Sequence, residues 1–324
     1  MTRRGQDERK GPQTMATPGQ VQFGIAIPQI FSQPRVDTGA LQAFLRRAEA
    51  LGYHSAWVQE QILGSTCTLE PVTLLSYAAA VTRSLRLGSA VLLTLLRNPV
   101  QVAKSLSSLD HLSEGRLTIG VGIGGNTRIY PAFGIPADRR ARRFEEGLRL
   151  MKRLWTEDRV TFAGEFWRLE DAAMEPKPVQ KPHPPIWFGA RVPAALKRAA
   201  QLGDGFIGAG SSTVAEFTEQ VAQLRVHLGA AGRDPSTFPV AKRVYLAVDA
   251  DRARGMERLR GWFDRYYRNA AMADRVAIVG DVQECLDGLR AVRAAGAGMI
   301  LLNFVFDEMR HLELLADEVV PALA

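Results

Sequence analysis

Hydrophobic runs and helical stripes alternate along the chain, and the clearest example lies between residues 85 and 122. Residues 85–93 are almost all apolar or small, which is typical of a parallel strand buried on both faces. Asn98-Pro99 then supplies an N-cap and a proline at the first helical position. After Gly115, residues 116–122 form a second apolar run. This segment therefore predicts one complete strand–helix–strand unit.

The same alternation of strand-like and amphipathic segments continues to the end of the chain. Eight strands are predicted, at residues 23–28, 54–59, 85–93, 116–122, 185–190, 205–209, 240–248 and 299–304. The apolar piece at 277–280 is short and leads into a helix capped by Asp281. Eight strands alternating with helices predict a (β/α)8 TIM barrel. A doubly wound open sheet is the alternative.

A long irregular stretch is expected before the fifth strand. Residues 156–185 contain five prolines, all within EPKPVQKPHPP, and such a stretch in a compact domain is usually a functional insertion. We expect it to follow the fourth βα unit and to cover a substrate. Residues 21–324 are predicted to form a single domain, and residues 1–20, which are polar, a disordered N-terminal extension.

The composition is that of a globular protein, with 46% hydrophobic and 23% charged residues. No apolar run approaches the roughly 20 residues of a membrane-spanning helix, and residues 1–20 lack the apolar centre of a signal peptide. The net charge of +7 is not arranged as the basic stripe of a nucleic-acid-binding protein. Cys67 and Cys285 lie far apart, which indicates neither a disulfide framework nor a metal site. We expect a cytoplasmic protein that binds neither membranes nor nucleic acid.

In a barrel of this kind the active site lies at the carboxyl ends of the strands. The residues at these positions are Gln29, Glu60, Gln61, Leu93, Thr94, 122–126, 189–191, 208–212 and Asn303. They include no histidine, and the chain has neither an HExxH motif nor a GxSxG motif. Glycines and backbone N–H groups near helix starts suit a phosphate, although GVGIGG lacks the GxGxxG spacing of a dinucleotide site. A bound cofactor is therefore expected to supply the reactivity.

Several long segments resemble the luciferase-like flavin-dependent oxidoreductases. They are SAWVQEQ, RNPVQVAKSLSSLDHLSEGRLTIGVGIGG, FEEGLRLMKRLWTE, PKPVQKPHPPIWFGA and ALKRAAQLGDGF. The resemblance extends from about Phe23 to the end of the chain. It implies a (β/α)8 barrel that binds FMN or the deazaflavin coenzyme F420 at its carboxyl face, acts on a small-molecule substrate and forms a homodimer.

The resemblance also implies which residues hold the cofactor. The peptide bond between Ala90 and Val91 corresponds to a non-proline cis bond behind the cofactor ring. Thr94 and Asn126 match positions that contact the ring or the ribityl chain, and Gly124 lies in the glycine run beside Asn126. The positions that match phosphate contacts are Gly189, Ala190, Arg191, Gly210, Ser211 and Ser212.

Two departures from the family pattern bear on the chemistry. Gln61 stands where many members carry a histidine, and an amide cannot act as a general acid or base near neutral pH. Glu60 is then the nearest titratable group, so Glu60 and Gln61 are the candidate catalytic residues. Ser212 occupies a position where some deazaflavin enzymes have a lysine.

Three functions follow from the resemblance. The preferred hypothesis is hydride transfer between F420 and a small organic substrate. The alternatives are an FMN-dependent monooxygenase and a flavin-binding barrel without turnover. A non-flavin barrel enzyme, such as an isomerase or aldolase, is disfavoured because no lysine or carboxylate pair is predicted at a strand end.

Overall fold

The computed structural model describes residues 21–31, 35–125, 127–136 and 138–323. The extension predicted for residues 1–20 and the candidate cofactor contact Asn126 therefore lie outside the described residues. Within the described ranges, no helix is both long enough and apolar enough to span a membrane.

Eight parallel strands form the centre of the fold. They are β1 (Gln22–Ala26), β2 (Ser55–Val58), β3 (Arg86–Ser89), β4 (Leu117–Val121), β5 (Ile186–Gly189), β6 (Gly205–Gly208), β7 (Val240–Val248) and β8 (Met299–Asn303). Each strand pairs with the next along the chain, and β8 also pairs with β1, so the sheet closes on itself. The predicted TIM barrel is confirmed, and the open-sheet alternative is wrong.

Helices separate the strands. They are α1 (Thr38–Ala50), α2 (Pro71–Val81), α3 (Pro99–Leu112), α4 (Arg140–Thr156), α5 (Pro193–Leu202), α6 (Val214–Ala230), α7 (Arg252–Tyr267), α8 (Met272–Val276), α9 (Val282–Ala294), α10 (Glu308–Leu314) and α11 (Val320–Leu323). Two predicted caps are present. The Asn98 side chain accepts a hydrogen bond from the backbone N–H of Val100 at 2.9 Å, and Asp281 begins α9 with a capping box to Glu284.

Two indole rings fill the lower part of the barrel interior. Trp57 and Trp187 lie with their ring centroids 5.7 Å apart and pack with Ile207, Met299 and Leu301. Neighbouring strands present glycine to these rings: a Cβ on Gly205 would lie 2.6 Å from Trp187 Nε1. The rings close the barrel below the carboxyl ends of the strands, so any site at that end has a solid apolar floor.

β7 is longer than the other barrel strands and reaches beyond the barrel. Its first half pairs with β6 and β8 up to Tyr245, whereas its second half, from Tyr245 to Val248, pairs with Ala277–Gly280. The apolar piece predicted at 277–280 is therefore a strand outside the barrel. Residues 252–276, which contain α7 and α8, connect these two strands at the carboxyl end of the barrel.

The segment between α4 and β5 differs from the irregular insertion that the sequence predicts. It contains an antiparallel hairpin, Val160–Ala163 with Arg168–Ala172. Glu146 of α4 accepts hydrogen bonds from the backbone N–H groups of residues 165–167, and Asp110 of α3 accepts two from Gln180. These contacts hold the segment along α3 and α4. The expectation that it covers a substrate stays a prediction.

Candidate active site

The backbone departs from regular strand geometry where β3 ends. The peptide bond between Ala90 and Val91 is cis, as the resemblance implied. The chain then returns to the barrel through a bridge between Leu92 and Val121. Ser89 supports this turn because its hydroxyl donates a hydrogen bond to Gly120 O at 2.8 Å. Ala90 is thereby held at the carboxyl end of the barrel.

Val91 is wedged between the ends of β4 and β5. A Cβ on Gly122 would lie 2.7 Å from Val91 Cγ2, and a Cβ on Gly189 would lie 2.7 Å from Val91 Cγ1. Both distances are shorter than van der Waals contact allows. These two glycines, which the sequence suggested for close approach of a ligand, also make room for Val91. Gly124 has φ +78°, a conformation that favours glycine.

A cavity opens at the carboxyl end of the barrel, and we call it the rim pocket. Its enclosed cavity is small, about 30 Å³, within about 450 Å³ of space that includes open solvent, and its lining residues include Trp57, Ala90, Arg243, Trp262, Asn303 and Glu308. Trp57 and Leu301 belong to the apolar floor, and Trp262 comes from α7. The pocket thus lies among the ends of β1, β2, β7 and β8, with the excursion at 252–276 beside it.

Arg243 of β7 is the cationic residue of the rim pocket. Its Nη1 donates to Gln59 Oε1 at 2.7 Å and lies 3.4 Å from Ala90 O, while Nη2 donates to the hydroxyls of Tyr245 and, at 3.1 Å, Tyr267. Burial lowers the pKa of Arg243, but the tyrosine oxygens raise it by more. The guanidinium therefore stays charged in a site from which water is largely excluded.

Gln29 positions Gln59, the residue whose side chain accepts a hydrogen bond from Arg243. Gln29 Oε1 accepts from the backbone N–H of Gln59 at 2.6 Å, and Gln29 Nε2 donates to Gln59 O at 2.7 Å. Gln29 is only 3% exposed. This pair of hydrogen bonds ties the end of β1 to the end of β2 and orients the Gln59 side chain towards Arg243.

Glu60 and Gln61, the candidate catalytic residues, do not line the rim pocket. The Glu60 carboxylate is buried, forms an ion pair with Arg97 and accepts a hydrogen bond from the Leu93 N–H. Burial raises the pKa of Glu60, whereas Arg97 and the Leu93 N–H oppose that rise. Gln61 Oε1 accepts from the hydroxyls of Thr66, at 2.5 Å, and Thr68. Both side chains have structural partners, and their catalytic role stays a prediction.

The predicted phosphate contacts lie together at the ends of β5 and β6. Arg191 Nη1 is 3.3 Å from Ser211 Oγ, and buried Ser212 is hydrogen-bonded to Gln220. Thr213 then begins α6 with a capping box. From β7, Lys242 Nζ donates to Ala209 O at 2.6 Å. The loop 209–213 therefore has a fixed backbone beside the exposed guanidinium of Arg191.

One contact connects this loop to the rim pocket. A Cβ on Gly210 would lie 2.9 Å from Arg243 Nε and 2.7 Å from the Tyr245 ring. Thr94 is placed differently: its hydroxyl is buried and lines a separate small cavity with Arg143 and Trp167. The structure thus places Ala90 in the pocket lining and Gly210 against Arg243. Thr94 lies elsewhere.

Sequence reasoning missed Arg243 and Trp262. The run VAKRVYLAV predicts one strand ending at Val248, and none of its residues is among the predicted rim positions. Only the part up to Tyr245 belongs to the barrel, which puts Arg243 at the level of the pocket. The signal available in the sequence was the pair of adjacent cations, Lys242 and Arg243, in an otherwise apolar strand.

Comparisons of the sequence find relatives that match more than half of the chain. The chain is 34% identical over 233 residues to an F420-dependent glucose-6-phosphate dehydrogenase of Kineococcus radiotolerans, covering 69% of this chain and 68% of that protein. It is 31% identical over 218 residues to an FMNH2-dependent dimethylsulfone monooxygenase of Pseudomonas putida, covering 65% and 60%. Uncharacterised Mycobacterium tuberculosis and Mycobacterium bovis relatives are matched over 58% of their own length.

A solved structure and a family model extend the likeness to most of the chain. An F420-dependent secondary alcohol dehydrogenase in complex with an F420-acetone adduct superposes with a TM-score of 0.83 at 20% identity, covering 94% of this chain and 99% of that one, which shows a common fold. The family model of luciferase-like monooxygenases matches residues 21–298. The chain therefore belongs to the luciferase-like monooxygenase family.

Proposed function

We propose that this protein is an oxidoreductase that transfers hydride between coenzyme F420 and a small organic substrate bound in the rim pocket. The observation that carries the proposal is the adjacency of two features. Ala90, at the end of β3, lines the rim pocket, and Gly210 of the loop 209–213 adjoins Arg243 of the same pocket. A flat ring with a phosphorylated tail needs both features in reach of each other.

The residues present are suited to such a cofactor. Glycine at positions 122 and 189 lets Val91 sit between two strand ends, so the backbone at 90–91 forms a fixed surface. Arg191, Ser211 and the start of α6 provide charge and hydrogen-bond donors for a phosphate. F420, when bound, would supply the hydride chemistry, and the chain would supply binding and orientation.

The rim pocket also contains a group that can hold a proton. Glu308, at the start of α10, lines the pocket, and burial raises the pKa of its carboxyl. Ile27, Trp57, Leu301 and Phe304 contribute apolar side chains to the lining of the same pocket. We assign to Glu308, rather than to Glu60, the exchange of a proton with the substrate, since Glu60 is committed to Arg97.

The relatives support F420 without deciding against FMN. The Kineococcus F420-dependent protein is matched at somewhat higher identity and coverage than the Pseudomonas FMNH2-dependent protein. Reduced FMN reacts with oxygen, whereas reduced F420 transfers hydride and is almost inert to oxygen. An FMN-dependent monooxygenase is therefore the second candidate, and a cofactor-binding barrel without turnover the third.

Equilibrium titration of the purified protein with F420 and with FMN tests the proposal. We expect F420 to bind more tightly than FMN, and the complex with reduced F420 to consume no oxygen in an oxygen electrode. Tight FMN binding with oxygen uptake on reduction would favour the monooxygenase instead. Absence of binding to either cofactor, in a sample shown to be folded by circular dichroism, would remove the oxidoreductase assignment.

A further inference from the structure

Arg243 is a buried cation without an anionic partner. The residue is 9% exposed, and its hydrogen-bond acceptors within the described part of the chain are all neutral: Gln59, the Ala90 carbonyl and two tyrosine hydroxyls. Buried charges in proteins are normally paired with an opposite charge, because removing an ion from water is costly. The charge balance at this position is therefore incomplete in the chain alone.

Two carboxylates of this region, those of Glu60 and Glu308, form no ion pair with Arg243. Glu60 is paired with Arg97. Glu308 lines the same pocket and burial raises the pKa of its carboxyl, but it makes no ion pair with Arg243 among the described residues.

Two polar atoms near the pocket also lack partners. Arg243 Nε and Asn303 Nδ2 are both buried donors with no acceptor in the described residues. Arg243 lies opposite Leu301 and Tyr245 opposite Asn303 in the pairing of β7 with β8. Because alternate residues of a strand face the same side, Arg243, Leu301 and Asn303 all face the barrel interior. Buried donors without acceptors are uncommon, and a ligand oxygen would satisfy them.

We propose that Arg243, assisted by Asn303, is the anion-binding residue of the rim pocket and receives a delocalised anionic oxygen group of a bound ligand. The proposal rests on the proposed function. Two sources share this chemistry: a carboxylate of the substrate and the anionic ring of the reduced cofactor. The substrate would then be a small organic acid whose apolar part packs against Trp262 and Phe304, or the ring would be stabilised in its reduced state.

The experiment compares Arg243→Met with the native protein in two arms. The first arm measures binding of benzoate and of its neutral analogue benzyl alcohol by calorimetry, without cofactor. The second arm measures binding of oxidised and reduced F420 by fluorescence titration under nitrogen. Arg265→Met, an exposed arginine of α7, is the matched control for the change in charge. Arg243→Lys tests whether a cation of different shape restores binding in part.

Losing a hydrogen bond to a charged group corresponds to roughly a 10- to 100-fold loss of affinity. That loss for benzoate alone, with benzyl alcohol unaffected, supports the proposal with the substrate as source. The same loss for reduced but not oxidised F420 supports it with the ring as source. Unchanged affinity of Arg243→Met for benzoate and for reduced F420 would overturn the proposal. The proposed function would still stand in that case if the native protein binds oxidised F420.

A second variant keeps the test decisive if Arg243→Met does not fold. Asn303→Asp introduces a carboxylate into the pocket that Arg243 also lines, and this carboxylate is expected to compete with the ligand anion. We expect it to lower the affinity for the same ligand, benzoate or reduced F420, that Arg243→Met affects, by at least tenfold. Native affinity for both ligands would contradict the proposal. Circular dichroism melts of each variant establish that the folded protein is being measured.

Discussion

Two groups of buried charges near the carboxyl end of the barrel differ in how they are balanced. In the loops after β2 and β3, the Glu60 carboxylate has Arg97 and the Leu93 N–H as partners, so its charge is matched within the chain. On β7, Lys242 and Arg243 are both buried, and their hydrogen-bond acceptors are neutral. The charge of Glu60 is balanced within the chain, whereas the charge of Arg243 would be balanced only by an anion from outside the chain.

The two cations of β7 can respond differently because their chemistry differs. Burial, with Arg243 beside it, lowers the pKa of Lys242 to about 7, so the lysine can shed its charge by losing a proton. An arginine cannot do this in a protein. Arg243 must therefore remain charged, and a bound anion is the remaining way to balance it. We therefore expect Lys242 to make the stability depend on pH and Arg243, on the opposite face of β7, to bind an anion.

The largest effect is expected when the complete pair is broken. Arg97→Met leaves the Glu60 carboxylate buried with only a backbone N–H, and removing one partner of a buried pair costs about 3–5 kcal/mol. Urea denaturation measures this loss. Arg47→Met is the control, because the Arg47–Glu313 pair is exposed and should cost less than about 1 kcal/mol. Equal midpoints for the two variants would show that Glu60 does not depend on Arg97.

The affinity of the folded Arg97→Met protein for F420 should stay within about threefold of the native value, since a threefold change is well below the tenfold step of 1.4 kcal/mol. This result would separate the structural pair from the ligand site. A larger change would mean that the loop held by Glu60 contributes to cofactor binding.

An intermediate effect is expected at the exposed cation of the phosphate loop. Arg191→Met should weaken F420 binding by about 1.5–3 kcal/mol, the range for a hydrogen bond to a charged group, with little change in the free energy of unfolding. Fluorescence titration measures the affinity. Lys197→Met, an exposed cation on α5, controls for the loss of charge. If both variants bind F420 as the native protein does, Arg191 is not a phosphate contact.

The last effect, at most about 2 kcal/mol between pH 7.5 and pH 9, is a pH dependence of the free energy of unfolding caused by Lys242. Its pKa in the folded protein, about 7, lies below the value of about 10.4 for an unfolded lysine, so between these values the unfolded chain binds more protons. The free energy of unfolding should therefore rise with pH in this window, by up to about 1.4 kcal/mol per pH unit. Urea denaturation at pH 7.5 and pH 9 measures the slope. Lys242→Met should flatten it, and parallel slopes would contradict the shifted pKa.

Local patterns in the sequence were sufficient for the barrel strands and several helix caps. Strands buried on both faces leave continuous apolar runs, and Asn98 and Asp281 are visible as caps because capping depends on neighbouring residues. Gly122 and Gly189 were recognised as unusual, but the neighbour that requires them, Val91, comes from another strand. Their packing role could not be read from spacing alone.

The site itself depended on features that a local pattern does not contain. The apolar run of β7 gives no sign that the barrel ends near Tyr245, so Arg243 was hidden inside a strand. Of the two excursions from the βα alternation, the proline-rich one is predicted to cover the site, and it is held by Glu146 of α4 and Asp110 of α3. The excursion at 252–276 contributes Trp262 to the rim pocket. It starts from the part of β7 that extends beyond the barrel and pairs with Ala277–Gly280.

A crystal structure of the protein with F420 bound is the most direct test of the account. We predict electron density for the ring against Ala90 and Val91, and for the phosphate beside Arg191 and the loop 209–213. Density for the ring at the opposite mouth of the barrel, near His54, Arg86 and Trp187, would contradict the assignment of the rim pocket as the cofactor site.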